Sequence, residues 1–183
     1  RHEQFRLKIG YLMQEGVEIR RPPFNGPANH VREVVEALVR RGHQVRVLVR
    51  VDGRIWKSDN LTDFDSVTAR WLDRGAFRLF ERGARRIQSE LQLPYAALFE
   101  SLRFAQACVQ ELRGCDLLFE RASWVAYGGG LAARRLKMPL VLEDNGDALF
   151  DLEAKGMAPT GLQRRLSVAV MRRAVNRAAH IIS

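Results

Sequence analysis

The first fifty residues carry two successive patterns of apolar positions. Residues 7–13 form a short, mostly apolar segment that fits a buried strand. After a glycine-bearing loop, apolar residues recur three and four positions apart, the spacing of a helix packed on a sheet: Val31, Val34, Val35, Leu38 and Val39. Gly42 follows as a helix stop, and the alternating Val45, Val47 and Val49 predict a second strand. This order predicts a right-handed βαβ unit, with which doubly wound α/β domains usually begin.

Strand and helix patterns keep alternating along the rest of the chain. We predict a polar loop over 52–65, a third strand over 66–72 and an irregular acidic loop over 144–159. Further helices are predicted over 74–93, 96–112, 128–137 and 162–178, and further strands over 117–119, 140–143 and 181–182. No repeat or internal linker interrupts the pattern. We therefore expect one α/β domain over residues 1–183, a doubly wound parallel sheet of Rossmann-like architecture.

Composition narrows the class of protein. The 183 residues are 46% hydrophobic, which is ordinary for a globular domain, and their net charge of +9 favours an anionic partner. No apolar run reaches the roughly 20 residues of a membrane span, and no signal peptide opens the chain, so we expect a cytoplasmic protein. The two cysteines, Cys108 and Cys115, form neither a disulfide framework nor a zinc site, and we interpret them as reduced residues of the core.

The loop before the first helix is the first candidate for ligand binding. Asn25 and Gly26 lie where backbone N–H groups are free and where the helix dipole favours an anion. Gly26 allows close approach of a ligand, and Pro27 fits a first helical turn. The loop lacks both the G-x-G-x-x-G fingerprint and the phosphate-binding P-loop, so a nicotinamide cofactor is not expected. The alternative is that the loop is only a tight turn into the helix.

The same stretch resembles a known family. The segment NGPANHVREVVEALVRRGHQVRVL is similar to the start of GT-B glycosyltransferases of the large retaining group that includes sucrose synthase and bacterial lipopolysaccharide enzymes. Their second strand is entered through an R-G-H-x-V step, which residues 41–45 match. Asn25 and Gly26 occupy the place of the Gly-Gly pair in that family, so the first glycine is replaced.

The resemblance implies one half of a two-domain enzyme. The chain would be the N-terminal, acceptor-side Rossmann-like domain, and the donor-binding C-terminal domain would lie outside it. It begins at Arg1 and stops at Ser183 inside an apparent strand, so we expect a piece of a longer polypeptide that is inactive alone. The donor would be a nucleotide-diphosphate sugar, with no cofactor and no essential metal, and Asn25 and Gly26 would bound its phosphates.

The ends of the predicted strands supply the remaining candidates. Ligands of open α/β sheets bind beyond the carboxyl ends of the strands. One such loop, residues 143–153, concentrates carboxylates and an amide that suit sugar hydroxyls: Glu143, Asp144, Asn145, Asp147, Asp151 and Glu153. The alternative is a solvated loop whose acids cap the next helix.

The resemblance assigns roles to some of these residues. Asn145 falls where many relatives carry a histidine that faces the transferred sugar, which makes it the catalytic candidate, although an amide cannot titrate. Glu120 and Arg121 are similar to a strand-end E-R pair whose arginine lines the cleft; the alternative is a surface ion pair. The predicted acceptor site consists of five residues: Glu120, Arg121, Asp144, Asp147 and His30, which lies in the first turn of the opening helix. A solvated or structural role for His30 is the alternative. No group of residues has metal-ligand spacing.

Arginines are concentrated on two helices. Arg74, Arg78, Arg82 and Arg86 recur every four residues beside Phe77 and Phe80, and five arginines lie between residues 164 and 177. These helices are either solvated faces or surfaces for an anionic membrane at the inner face of the cell, which would suit a lipid-linked acceptor. No nucleic-acid-binding motif accompanies the charge, so no nucleic-acid partner is predicted.

Two functions remain open from the sequence. The first is transfer of a sugar from a nucleotide-sugar donor to a glycan or lipid acceptor. The second is a non-catalytic Rossmann-like module that binds or regulates through an anionic partner. The sequence does not identify the sugar, the nucleotide or the acceptor.

Overall fold

The opening βαβ unit forms as its apolar pattern predicts. The computed structural model describes residues 5–69, 72, 75–90, 96–144, 146 and 148–182. The elements in chain order are β1 (Lys8–Met13), α1 (Gly26–Arg40), β2 (Gln44–Val51), β3 (Arg54–Ser58), β4 (Asp65–Val67), α2 (Gly75–Glu90), α3 (Ala96–Glu111), β5 (Leu117–Arg121), α4 (Gly128–Leu136), β6 (Leu140–Glu143), α5 (Ala148–Ala154), α6 (Gly161–Val175) and β7 (His180–Ile182). Gly42, with φ of +90°, ends α1 in a backbone conformation that favours glycine.

The strands form one sheet in the order β4-β3-β2-β1-β5-β6-β7. The pairs β1–β2, β1–β5, β5–β6 and β6–β7 are parallel, while β3 and β4 are antiparallel to their neighbours. The predicted α/β class and Rossmann-like sheet are therefore confirmed. The sheet is mostly parallel rather than wholly parallel.

The antiparallel edge corrects the sequence prediction for residues 52–65. These residues are not a continuous loop, because β3 turns back on β2 at Asp52 and Gly53, which both have positive φ. An Asp-Gly pair with this geometry suits a two-residue hairpin. Ile55 packs in the core, but β3 has only five residues and carries Arg54 and Lys57, so its apolar pattern is weak. The strand predicted over 66–72 is β4, three residues at 65–67.

A second correction lies in the loop predicted over 144–159. Residues 148–154 form helix α5, and irregular backbone follows only after it. The segment is short, so its apolar residues complete too few turns to give a clear helical period.

Two cores lie on opposite faces of the sheet. On one face, α1 covers Tyr11, Val47 and Val49, and on the other α3 and α4 cover Leu12, Leu48 and Leu118. Burying each of these side chains contributes roughly 1.5–3 kcal/mol. Because side chains alternate along a strand, the residue at which each strand ends decides which face its last side chain joins.

Candidate functional site

A cleft opens at the carboxyl edge of the sheet. From β1 the chain builds the sheet first toward β2 and later toward β5, so the topological switch point lies between β1 and β5. A cavity of about 1010 Å³ lies there, bordered by the segments after β1, β5 and β6 and by one side of α6. Its lining includes Gln14, Arg121, Leu142, Asp144 and Arg172. We call this cavity the cleft.

Asn25 and Gly26 lie at the start of α1, as predicted. The Asn25 side chain caps the helix, because its Oδ1 accepts the backbone N–H of Ala28 at 2.9 Å. A Cβ at Gly26 would meet no atom within 4 Å, so the space beside this backbone is open. The structure thus gives Asn25 a helix-capping role and leaves the approach to Gly26 free.

His30 forms the strongest polar contact of this region. Its Nε2 lies 2.6 Å from Oε1 of Glu143, the last residue of β6, 113 positions away along the chain. Because a carboxylate only accepts, Nε2 carries the proton of this hydrogen bond, and Nδ1 is the ring nitrogen that does not take part in it. The imidazole is 45% exposed while Glu143 is buried, so the carboxylate holds a ring that solvent and ligands can reach.

Tyr11 completes the buried side of this contact. Its ring stacks on Phe119 with centroids 5.3 Å apart, and it is wholly buried. Burial, and next the negative charge of Glu143, raise the pKa of the Tyr11 hydroxyl above its usual range. In the part of the chain that the structure describes, neither this hydroxyl nor Oε2 of Glu143 has a hydrogen-bond partner. Unsatisfied buried polar atoms are uncommon and mark this spot as a candidate for function.

Arg121 joins the same cluster from β5. Its Nη1 donates to the backbone carbonyl of Pro27 at 3.2 Å, which brings the guanidinium to the start of α1. Its Nε is buried without a hydrogen-bond partner among the described residues. Residues Arg121 and Glu143 are paired in the β5–β6 register, so both are on the α1 face of the sheet. Arg121 also borders the cleft, as predicted for a cleft-lining arginine.

Glu120 lies on the opposite face from Arg121. It is 5% exposed and accepts a hydrogen bond from Nε2 of Gln14 at 3.1 Å. Burial raises its pKa to about 7, which the contacts from Gln14 and the backbone amide of Gly129 partly offset. Glu120 therefore supports the floor of the cleft through Gln14, and its side chain is neither a cleft-facing acceptor ligand nor part of an ion pair with Arg121.

The three glycines at the start of α4 are explained by this carboxylate. A Cβ at Gly129 would collide with the carboxyl group of Glu120, and a Cβ at Gly128 would lie 2.8 Å from the backbone oxygen of Ser101. At Gly130 the nearest atoms would be 3.9 Å away, an ordinary contact. Glycines in series at the start of a helix can allow close approach of another backbone or of a ligand, and here the approaching groups belong to the protein itself.

The loop after β6 lies partly outside the described residues. Asn145, the predicted catalytic residue, and Asp147, a predicted acceptor ligand, are both outside them. Asp144 is exposed and borders the cleft, and its Oδ1 accepts the backbone N–H of Gly146 at 3.3 Å. The structure therefore brings Asp144, Arg121, His30 and the Gly26 loop to one edge of the sheet.

Gln14 and Tyr11 are site residues beyond those singled out from the sequence, and Glu143, which the sequence offered as one of several strand-end carboxylates, contacts His30. Each of these residues is in a buried parallel strand, near its carboxyl end, or directly follows one. Burying a polar side chain there costs free energy unless it is hydrogen-bonded. Polar residues at such positions were therefore the sequence feature that could have identified them. Among the described residues, no group of three or more His, Cys, Asp or Glu side chains is placed to hold a metal ion.

Lys155 and Arg172 border the far side of the cleft and have no carboxylate partner among the described side chains. Arg50, at the near rim, is already paired with Glu100 at 2.9 Å. No helix in the described ranges has the length and apolar character needed to cross a bilayer.

Comparison with known proteins adds one match. The family model of the glycosyl transferase 4-like domain matches residues 25–183, which include α1, most of the cleft lining and all the candidate residues from Asn25 onward. A search of curated protein sequences finds no match to the chain. The family match supports a glycosyltransferase type of function. The chain belongs to the glycosyl transferase 4-like domain family.

Proposed function

We propose that this chain is the N-terminal, acceptor-side domain of a GT-B glycosyltransferase. The enzyme would move a sugar from a nucleotide-diphosphate donor to an acceptor with retained stereochemistry. A second domain would supply most of the donor pocket and face the carboxyl edge of this sheet. The family membership and the cleft at the switch point support this proposal.

The observation that carries the proposal is the contact between His30 and Glu143 beside Arg121. With Nε2 held by Glu143, the other ring nitrogen, Nδ1, would take a proton from the hydroxyl of an acceptor. Arg121 and the start of α1 place positive charge where the donor phosphates would gain negative charge. The open backbone at Gly26 would allow those phosphates to approach. The proposed reaction would use no cofactor.

The loop after β6 would bind the sugars. Asp144 borders the cleft, and its carboxylate suits vicinal hydroxyls. Asn145 follows it directly, and we propose that its amide binds the transferred sugar, as the family resemblance implies. Asp147 would contact the acceptor from the same loop. A lipid-linked sugar would be one such acceptor, and it would place the enzyme at the cytoplasmic face of a membrane.

The experiment is a ligand titration followed by NMR on the labelled chain. Uridine and guanosine diphosphates, and a panel of sugars, should shift the amide signals of Gly26, His30 and Glu143. Signals at Gly114 and Cys115, on the opposite edge of the sheet, serve as the internal control. Shifts confined to that opposite edge, or none with any compound, would contradict the proposed site.

A transfer assay separates the enzyme from the binding module. The 183-residue chain alone should transfer no sugar, and the same chain joined to a donor domain should do so. If the joined protein binds nucleotide at Gly26 without transferring sugar, the chain is instead a non-catalytic module for an anionic ligand.

A further inference from the structure

We propose that the outer face of α5 and α6 docks on an anionic lipid membrane. This face, called the α5–α6 face, consists of four apolar residues and a surrounding set of cations: Phe150, Met157, Leu162 and Leu166 with Lys155, Arg164, Arg165, Arg172 and Arg173. It is distinct from the cluster around His30, and its membrane binding does not depend on the proposed transfer reaction.

The apolar side chains of this face are large and exposed. Phe150 is 66% exposed, and Met157 and Leu162 are each 62% exposed. An isolated exposed leucine is ordinary, but several large apolar side chains in one place usually mark a binding surface. The ends of the two helices are in contact, since Arg164 pairs with Glu153 at 2.7 Å and the Met157 N–H bonds to the Leu152 carbonyl at 2.8 Å. Phe150 is about one helical turn from Glu153, and Leu162 and Leu166 are one turn apart on α6, so the exposed side chains lie on neighbouring helix ends.

The charge of the patch favours an anionic partner. Four arginines of α6 line an open groove of about 710 Å³ whose middle is formed by Val168 and Ala169. The carboxylate of Glu153 is already paired with Arg164, so it does not cancel the charge of the other cations. Cations around exposed apolar side chains match the headgroup layer of a bilayer, where arginine contacts phosphate and the apolar side chains reach the acyl chains.

The position of the patch beside the cleft favours a membrane over other anionic partners. Helix α5 directs Leu149 and Leu152 into the cleft while Phe150, on its other side, is exposed. Arg172 and Val168 border both the cleft and the α6 groove. A face that lies on headgroups would thus set the mouth of the cleft at the bilayer surface, where a lipid-borne acceptor can enter. Only this orientation rests on the proposed function.

Helix α2 offers the matched comparison. Its Leu79 and Phe80 are 68% and 66% exposed. Its other aromatic residue, Phe77, instead packs edge-on against Phe99 with centroids 6.0 Å apart. Arg74 and the side chain of Arg78 are outside the described part, so the arginine series predicted on this helix is not described in full. Among the described side chains, α2 therefore presents two exposed large apolar residues where the α5–α6 face presents four.

The test is cosedimentation of the purified chain with phosphatidylcholine vesicles that contain or lack phosphatidylglycerol. The chain should bind the anionic vesicles, and added salt should weaken the binding. Met157→Ser with Leu162→Ser should lower the partition coefficient roughly tenfold, since both lost side chains reach the acyl boundary. Leu79→Ser with Phe80→Ser removes two equally exposed side chains from α2 and should leave it unchanged.

A charge pair completes the design. Arg165→Glu should lower binding to anionic vesicles roughly tenfold. Arg54→Glu reverses an exposed charge on β3 and should reduce binding by less. Circular dichroism checks that each variant folds.

Three results would overturn the proposal: equal binding to neutral vesicles, equal loss for the α2 and α6 variants, or self-association of the chain abolished by the Met157 and Leu162 changes. The last would assign the face to a second copy. Because no outcome requires sugar transfer, failure of this test leaves the proposed function standing, and the reverse also holds.

Discussion

Two buried glutamates at the ends of neighbouring strands have opposite relations to the candidate site. Glu120, next to last in β5, faces α4 and is enclosed by Gln14 and Gly129. Glu143, last in β6, faces α1 and holds the exposed ring of His30, with one carboxylate oxygen unpartnered among the described groups. Glu120 makes only buried contacts, whereas Glu143 links the core to the exposed imidazole of His30.

The difference follows from strand parity. Glu120 is paired with Leu142, and Arg121 is paired with Glu143, so the two glutamates project to opposite faces of the same sheet. One face ends at the close-packed start of α4, where Gly129 makes room for the Glu120 carboxylate. The other ends at the open start of α1, beside Gly26. Residue type alone therefore does not distinguish a structural carboxylate from one that serves a site.

Substitution of His30 should have the largest effect on sugar transfer, because His30 is the exposed partner in its hydrogen bond with Glu143. In a protein that joins this chain to its donor domain, His30→Gln should lower kcat roughly 100-fold or more. His43→Gln, on the opposite edge of the sheet, is the matched control and should leave kcat unchanged. Steady-state kinetics of sugar transfer measure both. Equal rates for His30→Gln and wild type would make the contact purely structural.

Glu143→Gln separates positioning from proton transfer. Nitrogen-15 NMR of the imidazole should show the Nε2–H tautomer in the wild type and a mixture of tautomers in the variant, since the amide of Gln can donate as well as accept. An unchanged tautomer would mean that Glu143 does not orient the ring.

The close packing of Gly129 on Glu120 leads to the next prediction, a loss of stability. Gly129→Ala should lower the free energy of unfolding by roughly 2–3 kcal/mol, because its Cβ collides with the Glu120 carboxylate. Gly130→Ala, one position along the same helix, meets only ordinary contacts and should be neutral or stabilising by up to about 1 kcal/mol. Urea denaturation of the two variants measures the difference. Equal stability would mean that the floor of the cleft adapts freely.

The same glutamate should make stability depend on pH. Its pKa is about 7 in the folded protein and near 4.5 in an exposed chain, so the folded state holds the proton more tightly. Stabilisation by the protonated carboxyl is complete below pH 4.5 and is lost as the pH rises toward 7. Glu120→Gln should abolish this loss, so its stability relative to wild type should rise by roughly 1–3 kcal/mol between those pH values.

Thermal unfolding across this pH range is the measurement. Glu36→Gln, at an exposed position on α1, controls for removal of a carboxyl group. If the difference in stability between wild type and Glu120→Gln were the same at all pH values, the pKa of Glu120 would not be raised in the folded protein.

Asn25 gives the smallest effect and tests the open edge. Asn25→Ala should cost about 1 kcal/mol of stability, since the N–H of Ala28 loses its cap. Asn25→Asp keeps the cap but adds negative charge beside Gly26. Calorimetric titration with a nucleoside diphosphate should therefore show weaker binding for Asn25→Asp at unchanged stability. Unchanged affinity would mean that phosphates do not approach this loop.

The elements of the fold were more predictable than the contacts of the site. The spacing of Val31, Val35 and Leu38 and the stop at Gly42 act within a few residues, so α1 and its flanking strands could be assigned from sequence. The hairpin at Asp52 and Gly53 was missed because Arg54 and Lys57 weaken the apolar pattern of β3, and α5 was missed because it is short. The glycines before α4 signalled close approach, but the sequence did not show that Glu120 was the approaching group.

By itself, the sequence determined the α/β class, the order of its main elements, the start of α1 after Asn25 and the strand-end loops that hold the candidate residues. Only the tertiary structure decided which of those residues meet. His30 and Glu143 are separated by 113 positions, and their 2.6 Å contact depends on the β1–β5–β6 order and on the residue at which β6 ends. The reason is physical: spacing, caps and turns act locally, whereas register and strand parity are settled only when the sheet assembles.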